Sequence, residues 1–298
     1  MAFHGDDVRY AKSFVAGCWS LVDRIPPTTN HQPPTALCLH AGNLPLVGWH
    51  DVVSVMRAGW RYAGKLSRKD PHLGEWIRSW MPDARISADL VDFTGLKADA
   101  VLFSGSESSV PAVMARLKEI GAVHEGTRYL IRTAHTSIAW VDSLDSGTMR
   151  DLAEGIARYD GQGCRSVRIM VSPFPFAEAA GPLGKAAAAF ADRELFPRNR
   201  VRKAYYETLG RDVLPVGRLI VTEADLLWDD DDMTQWTQGT LHDVHAMAER
   251  LGSGLQQLYH TTQAIDGARW EPLADAQRPG ADWKPDGVDT VAFLQALG

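Results

Sequence analysis

The 298 residues predict an α/β protein with a largely parallel sheet flanked by helices, in a chain long enough for two lobes. Three observations lead there. Short apolar runs of strand length alternate with amphipathic stretches through the first half. The length suffices for two packed lobes with a sizeable core. Hydrophobic residues at 45% and charged residues at 23% are the balance of a globular chain and not of a disordered one.

After a Pro-rich opening (Pro26, Pro27, Pro33, Pro34), residues 35–40 read as a buried strand and 46–58 as a helix. Strands follow at 60–67, 86–92 and 100–104, with helices at 72–81 and 110–120, the last with apolar spacing near 3.6. Residues 128–131 and 138–142 read as strands and 148–159 as a helix. In the second half, 166–172 and 218–222 are strand-like around an Ala-rich helical segment. Leu241, Val244, Met247, Ala248, Leu251, Leu255 and Leu258 form one stripe, which predicts a long helix over 239–259. Residues 288–297 read as a short closing helix. Two lobes are expected, one over 1–140 and one over 141–298.

The formal charge of −6 argues against wholesale binding of nucleic acid. No apolar run approaches the ~20 residues that a membrane span needs. Residues 1–24 mix Asp6, Asp7, Arg9 and Lys12 with apolar positions and read as neither signal nor transit peptide, so the expected location is cytoplasmic. Cys18, Cys38 and Cys164 are odd in number and lack CxxC spacing, which speaks against a disulfide framework or a zinc site. The run Asp229–Asp232 reads as a solvated turn, since four adjacent carboxylates cannot all face one ion.

Cys164 lies in Asp160-Gly161-Gln162-Gly163-Cys164-Arg165-Ser166, between a helix and a strand. Its two glycines permit a tight turn that a ligand can approach closely. Arg165 beside it would favour thiolate, the nucleophilic form. Composition alone would make such a cysteine an inert core residue, and Cys18 and Cys38 read that way. Three strand ends also carry chemistry. His40-Ala41-Gly42-Asn43 offers the Asn43 amide to a developing oxyanion, or simply turns the chain. At Gly64-Lys65-Leu66-Ser67-Arg68-Lys69, Lys65 and Ser67 suit ribose hydroxyls, and Arg68 with Lys69 suits a 2′-phosphate and hence NADP over NAD. The bland alternative is a basic, solvated turn. Ser104-Gly105-Ser106-Glu107 opens a helix and exposes backbone N–H groups to a phosphate or ribose, or is a plain helix cap. No GxGxxG fingerprint is present.

Taken in order, the stretches AGNLPLVGWH, GKLSRKDP, FSGSESS, RTAHTSIAWVD and DGQGCRSV, with the ending ADWKPDGVDTVAFL, resemble the aldehyde dehydrogenase superfamily. They are most similar to the acyl-CoA reductases that supply aldehyde to bacterial luciferase, in a short form. The resemblance runs from His40 to the C-terminus. It implies an aldehyde-dehydrogenase-like fold with the active site in the cleft between the lobes.

It also implies roles. Cys164 would take the acyl group, with Asn43 and its own backbone N–H as oxyanion donors. Lys65 and Ser67 would hold the adenosine ribose, Arg68 the 2′-phosphate, and Gly105 and Ser106 the pyrophosphate or nicotinamide side. The cofactor would be NADPH, with NADH possible, and the substrate an acyl-CoA or an acyl carrier protein thioester. Hydrolytic relatives carry a Glu that activates water; here Ile131 falls near that position, which favours reduction over hydrolysis. His135 is a candidate proton donor to the aldehyde oxygen, with His50 and His260 weaker ones. A homodimer is expected by analogy only. Two other readings stay open: an acyltransferase using the same cysteine without hydride transfer, and a non-catalytic partner subunit.

Overall fold

A computed structural model describes residues 3–17, 33–134, 136–224, 233–267, 269–280 and 282–296. The chain divides into two compact units, Met1–Thr133 with Ala281–Gly298, and Ala134–Gly280. The closing segment, expected with the second half, belongs to the first unit.

The first unit opens with helix α1 (Gly5–Gly17) and continues β1 (Thr35–Leu39), α2 (Trp49–Arg57), β2 (Arg61–Lys65), α3 (Pro71–Trp80), β3 (Arg85–Ser87), β4 (Ala98–Ser104), α4 (Val110–Glu119) and β5 (Val123–Arg132), closing with α9 (Thr290–Gln295). All four strand pairings are parallel, in the order β3-β2-β1-β4-β5. Ala36, Leu37, Cys38 and Leu39 of β1 are all buried, as a strand covered on both faces must be. Phe93, Leu117 and Ala122 pack beside Leu37 and Val101. The expected strand over 86–92 is cut short. Its second half is a 3-10 turn, Leu90–Phe93, that sends Phe93 into the core.

The second unit holds β6 (Thr136–Trp140), α5 (Ser146–Ala157), β7 (Val167–Ser172), α6 (Phe176–Ala187), α7 (Pro197–Thr208), β8 (Val213–Val216), β9 (Leu219–Glu223), β10 (Met233–Gln238), α8 (Leu241–Leu251), β11 (Leu255–His260) and β12 (Trp270–Pro272). The sheet order is β12-β11-β6-β7-β10-β9-β8, and only the β8–β9 hairpin is antiparallel. Trp236, Tyr259, Phe176 and Met149 are fully buried at its centre. The α/β fold with largely parallel sheets thus matches the expectation.

The long helix expected over 239–259 does not form. A capping box between Thr240 and Asp243 starts α8, and Gly252, at φ +53°, ends it. Leu255–His260 is instead an interior strand between β6 and β12. Gln256 and Gln257 are buried there with the leucines, so no polar alternation marks it as a strand. Strands β8, β10 and β12 are additions to the expected set. The Asp229–Asp232 run and Cys18 lie outside the described residues. Among the described residues no helix is long and apolar enough to cross a membrane.

Candidate active-site elements

Cys164 sits half-buried in the turn between α5 and β7. Three consecutive left-handed residues build that turn: Tyr159 (φ 55°), Asp160 (φ 56°) and Gly161 (φ 67°). A Cβ on Gly161 would lie 2.3 Å from Leu219 Cδ1 and 2.9 Å from the Ile156 carbonyl, so only glycine fits. Left-handed Tyr and Asp are costly, and such strain persists only where the surroundings over-determine it.

Here they do. The Asp160 carboxylate accepts from Arg193 (3.2 Å) and Arg218 (3.3 Å), and Arg193 also donates to the Ala157 carbonyl (3.0 Å). Arg168 donates to the Gly161 carbonyl at 2.6 Å. Beyond the turn, Ser137 Oγ donates to the Cys164 carbonyl (2.9 Å) and Tyr259 to the Arg165 carbonyl (3.0 Å). The backbone is therefore held on both sides of the cysteine.

Arg165, expected to tune the thiol, has another principal role. Its guanidinium is buried, donates to Glu271 (2.6 Å) and to the Ala276 and Asp275 carbonyls (2.9 Å each), and lies over the Tyr259 ring. Burial opposes its charge, but Tyr259, Glu271 and, least, Cys164 outweigh this and raise its pKa. It anchors the start of β7 more than it serves the sulfur. Ser137, Asp160, Arg193, Arg218 and Tyr259 were not singled out from sequence. Asp160 stands in the turn itself; the other four come from distant strands and loops and carry no local motif.

In the first unit, the other candidates gather along the C-terminal edge of the parallel sheet. Asn43 follows β1 and is exposed; Lys65 closes β2, with half-buried Ser67 and exposed Arg68 after it; Gly105 and Ser106 follow β4. The strand order reverses between β1 and β4, and open α/β sheets take ligands at such a reversal. The loops after β1 and β2 nearly touch, since a Cβ on Gly42 would lie 2.0 Å from Ser67 Oγ. Asp70 locks them together. Its carboxylate caps α3 through His72 N (3.0 Å) and Leu73 N (3.4 Å) and accepts from Leu46 N (2.7 Å). Arg68 is not waiting alone for an anion: it pairs with Asp89 at 2.6 Å on the surface.

Behind this edge lies a buried polar network. Arg132, the last residue of β5, donates to Asp51 of α2 and to Thr290 Oγ1 of α9 (2.7 Å). Burial would raise the Asp51 carboxyl, but Arg132, His40 and His50 hold it below its ordinary value. His40 bonds Tyr62 at 2.7 Å, and His50 packs edge-on against Trp49 and Trp283. Burial lowers both imidazoles to about 4. His50 is thus neutral at pH 7 and poorly suited as an acid. His260 ends β11, and His135 lies outside the described residues.

The lowered histidines predict acid sensitivity. The unfolded chain binds these protons as pH falls through 6.5, whereas the folded unit resists until about 4. Stability is therefore complete above pH 6.5 and lost between 6.5 and 4, by roughly 3 kcal/mol per histidine. Urea midpoints should fall steeply from pH 7 to 4.5, and His50→Gln should flatten that slope. An unchanged slope would refute the assignment.

No protein-family model and no curated protein sequence matches the chain. Solved structures do. Aldehyde dehydrogenase 21 from Physcomitrella patens, in complex with the product succinate, aligns over 98% of this chain and 77% of its own, with TM-score 0.65 and 13% identity. Lactaldehyde dehydrogenase from Escherichia coli aligns over 87% of this chain and 66% of its own (TM-score 0.58, 13% identity). Indole-3-acetaldehyde dehydrogenase of P. syringae, in complex with NAD+ and IAA, aligns over 88% and 65% (TM-score 0.58, 11% identity). The chain thus spans about two thirds of the length of several such enzymes. It has the aldehyde dehydrogenase fold.

Proposed function

We propose that the chain reduces an acyl thioester to an aldehyde with NADPH, through an acyl group carried on Cys164. The observation that carries this reading is the half-exposed Cys164 thiol on a strained turn whose backbone is fixed on both sides. A rigid nucleophile needs no reorganisation as it attacks. The thiolate adds to the thioester carbonyl and the leaving thiol departs with a proton. The Cys164 N–H and the Asn43 amide are the oxyanion donors that the sequence resemblance assigns.

When bound, a reduced nicotinamide supplies the hydride that releases the aldehyde and regenerates the thiolate. Lys65, Ser67, Arg68, Gly105 and Ser106 would hold that cofactor. The open edge at the strand reversal and the close approach of Gly42 to Ser67 suit a dinucleotide backbone. The end of β5 supports reduction over hydrolysis. Ile131 is exposed and apolar, and the one ionisable side chain of residues 130–134, Arg132, is committed to Asp51 and Thr290. Residues 130–134 contribute no carboxylate to activate water, and Asp51 is held by Arg132.

The test is octanoyl-CoA with NADPH, following cofactor absorbance and trapping the aldehyde. Cysteine-dependent oxidation with one aldehyde per NADPH supports the reading. Acyl transfer without NADPH use would favour an acyltransferase instead. For cofactor choice, Arg68→Ala should raise the KM for NADPH about tenfold and leave NADH nearly unchanged. Because Asp89 competes for Arg68, Asp89→Asn should lower the KM for NADPH a few-fold, the scale of an exposed ion pair. Equal effects on both cofactors would remove NADP from the proposal.

A further inference from the structure

Helix α7 is set apart by its surface. Val201, Tyr205 and Leu209 are 71%, 59% and 54% exposed, three of the five most exposed large apolar side chains among the described residues. Their four-residue spacing puts them on one face, running off the C-terminal end of the helix. Asn199, on the opposite side, is fully buried and donates to the Arg218 carbonyl at 3.1 Å. The apolar stripe thus points outward because the other side is fixed. Exposed Arg198 lies beside it and exposed Arg200 on the adjoining face. Helix α7 carries four cations against one carboxylate, Glu207, which pairs with Lys203, in a chain of net charge −6. A solvated helix has no need of such a stripe, and a contiguous apolar patch rimmed by charge marks a contact surface.

We propose that this face docks an acidic helical carrier domain that delivers the acyl group as a tethered thioester. The proposal rests on the thioester reading of Cys164 and names the donor class for that site. Charge is the argument for the occupant: a basic rim around an apolar ridge complements an acidic amphipathic surface and not a basic or neutral one. The location fits as well. Arg218 bonds Asn199 and Phe196 at the start of α7 through its carbonyl, lies over the Phe196 ring, and reaches Asp160 in the cysteine turn with its guanidinium. The docking helix and the nucleophile's turn share one anchor. Free acyl-CoA has no use for this ridge.

The experiment compares octanoyl-loaded acyl carrier protein with octanoyl-CoA as substrates of the full chain. The variants are Arg198→Glu with Arg200→Glu, and Val201→Ser with Tyr205→Ser, each checked by thermal melting. Both should lower kcat/KM for the carrier substrate at least tenfold and leave that for octanoyl-CoA within twofold. Binding of the loaded carrier to the Cys164→Ala protein, measured by calorimetry, needs no turnover. It should weaken at least tenfold in both variants and with rising salt. Carrier binding without any reduction would keep the docking surface and sink the reductase reading. Absent carrier binding, or affinity unchanged by both variants, overturns the docking proposal. So does α7-dependent binding only to phosphatidylglycerol vesicles, which would make the face a membrane contact. A dimer in sedimentation that Val201→Ser with Tyr205→Ser dissociates would assign the face to a second copy and overturn it too.

Discussion

Replacing Cys164 with alanine is expected to abolish thioester reduction, with kcat reduced by roughly 10⁴-fold or more, the scale on which covalent nucleophiles are lost. No other described thiol can substitute. Cys38 is fully buried within β1, and burial followed by the Asp51 charge pushes its thiol well above the ordinary range. The loss should be confined to chemistry. The bonds described at the turn use the Cys164 carbonyl, the Gly161 carbonyl and the Asp160 carboxylate. Unfolding by urea should therefore shift by less than about 1 kcal/mol, as for a half-buried side chain trimmed to Cβ. Reduced-cofactor oxidation measured beside a urea melt separates the two effects. Retained turnover would remove Cys164 from the chemistry, whereas a collapsed melt would make it structural.

Arg132→Ala should destabilise the first unit by about 3–5 kcal/mol. The substitution leaves Asp51 buried with its principal counter-charge gone and frees Thr290 at the start of α9. The penalty comes from the stranded carboxylate and not from a lost attraction. Arg132→Met combined with Asp51→Leu should consequently recover most of the stability, because a buried pair is roughly interchangeable with apolar residues of like size. Urea melts followed by hydrogen exchange of the β1 and α2 amides read this unit directly. A double variant no more stable than Arg132→Ala would contradict the account.

The α/β class was legible because parallel strands covered on both faces read as apolar runs. Residues 35–39, 98–104 and 167–172 are such runs, and each is a strand within a residue or two of its expected bounds. Strand β11 was hidden for the same physical reason in reverse. Its buried Gln256 and Gln257 erased the pattern, and Leu255 and Leu258 continued the helical spacing of Leu251. Only Gly252 and Gly254 marked the break. The cysteine turn was legible from its glycines, which carry their meaning locally. Its scaffold was not, since Arg193, Arg218, Ser137 and Tyr259 converge from four separate elements or loops. The charge of Arg165 does act on Cys164, but its structural role was not legible, because sequence adjacency to the thiol says nothing of where a long guanidinium goes. It goes to Glu271, 106 positions away.

If Cys164 carries the acyl group and hydride, not water, removes it, the acyl-enzyme should accumulate without cofactor. Mass spectrometry of the protein incubated with octanoyl-CoA alone should find one octanoyl group per chain, on the peptide containing Cys164. That group should persist in buffer and be discharged as octanal when NADPH is added. An unmodified Cys164, or release as octanoate at the same rate with and without NADPH, would refute the proposal.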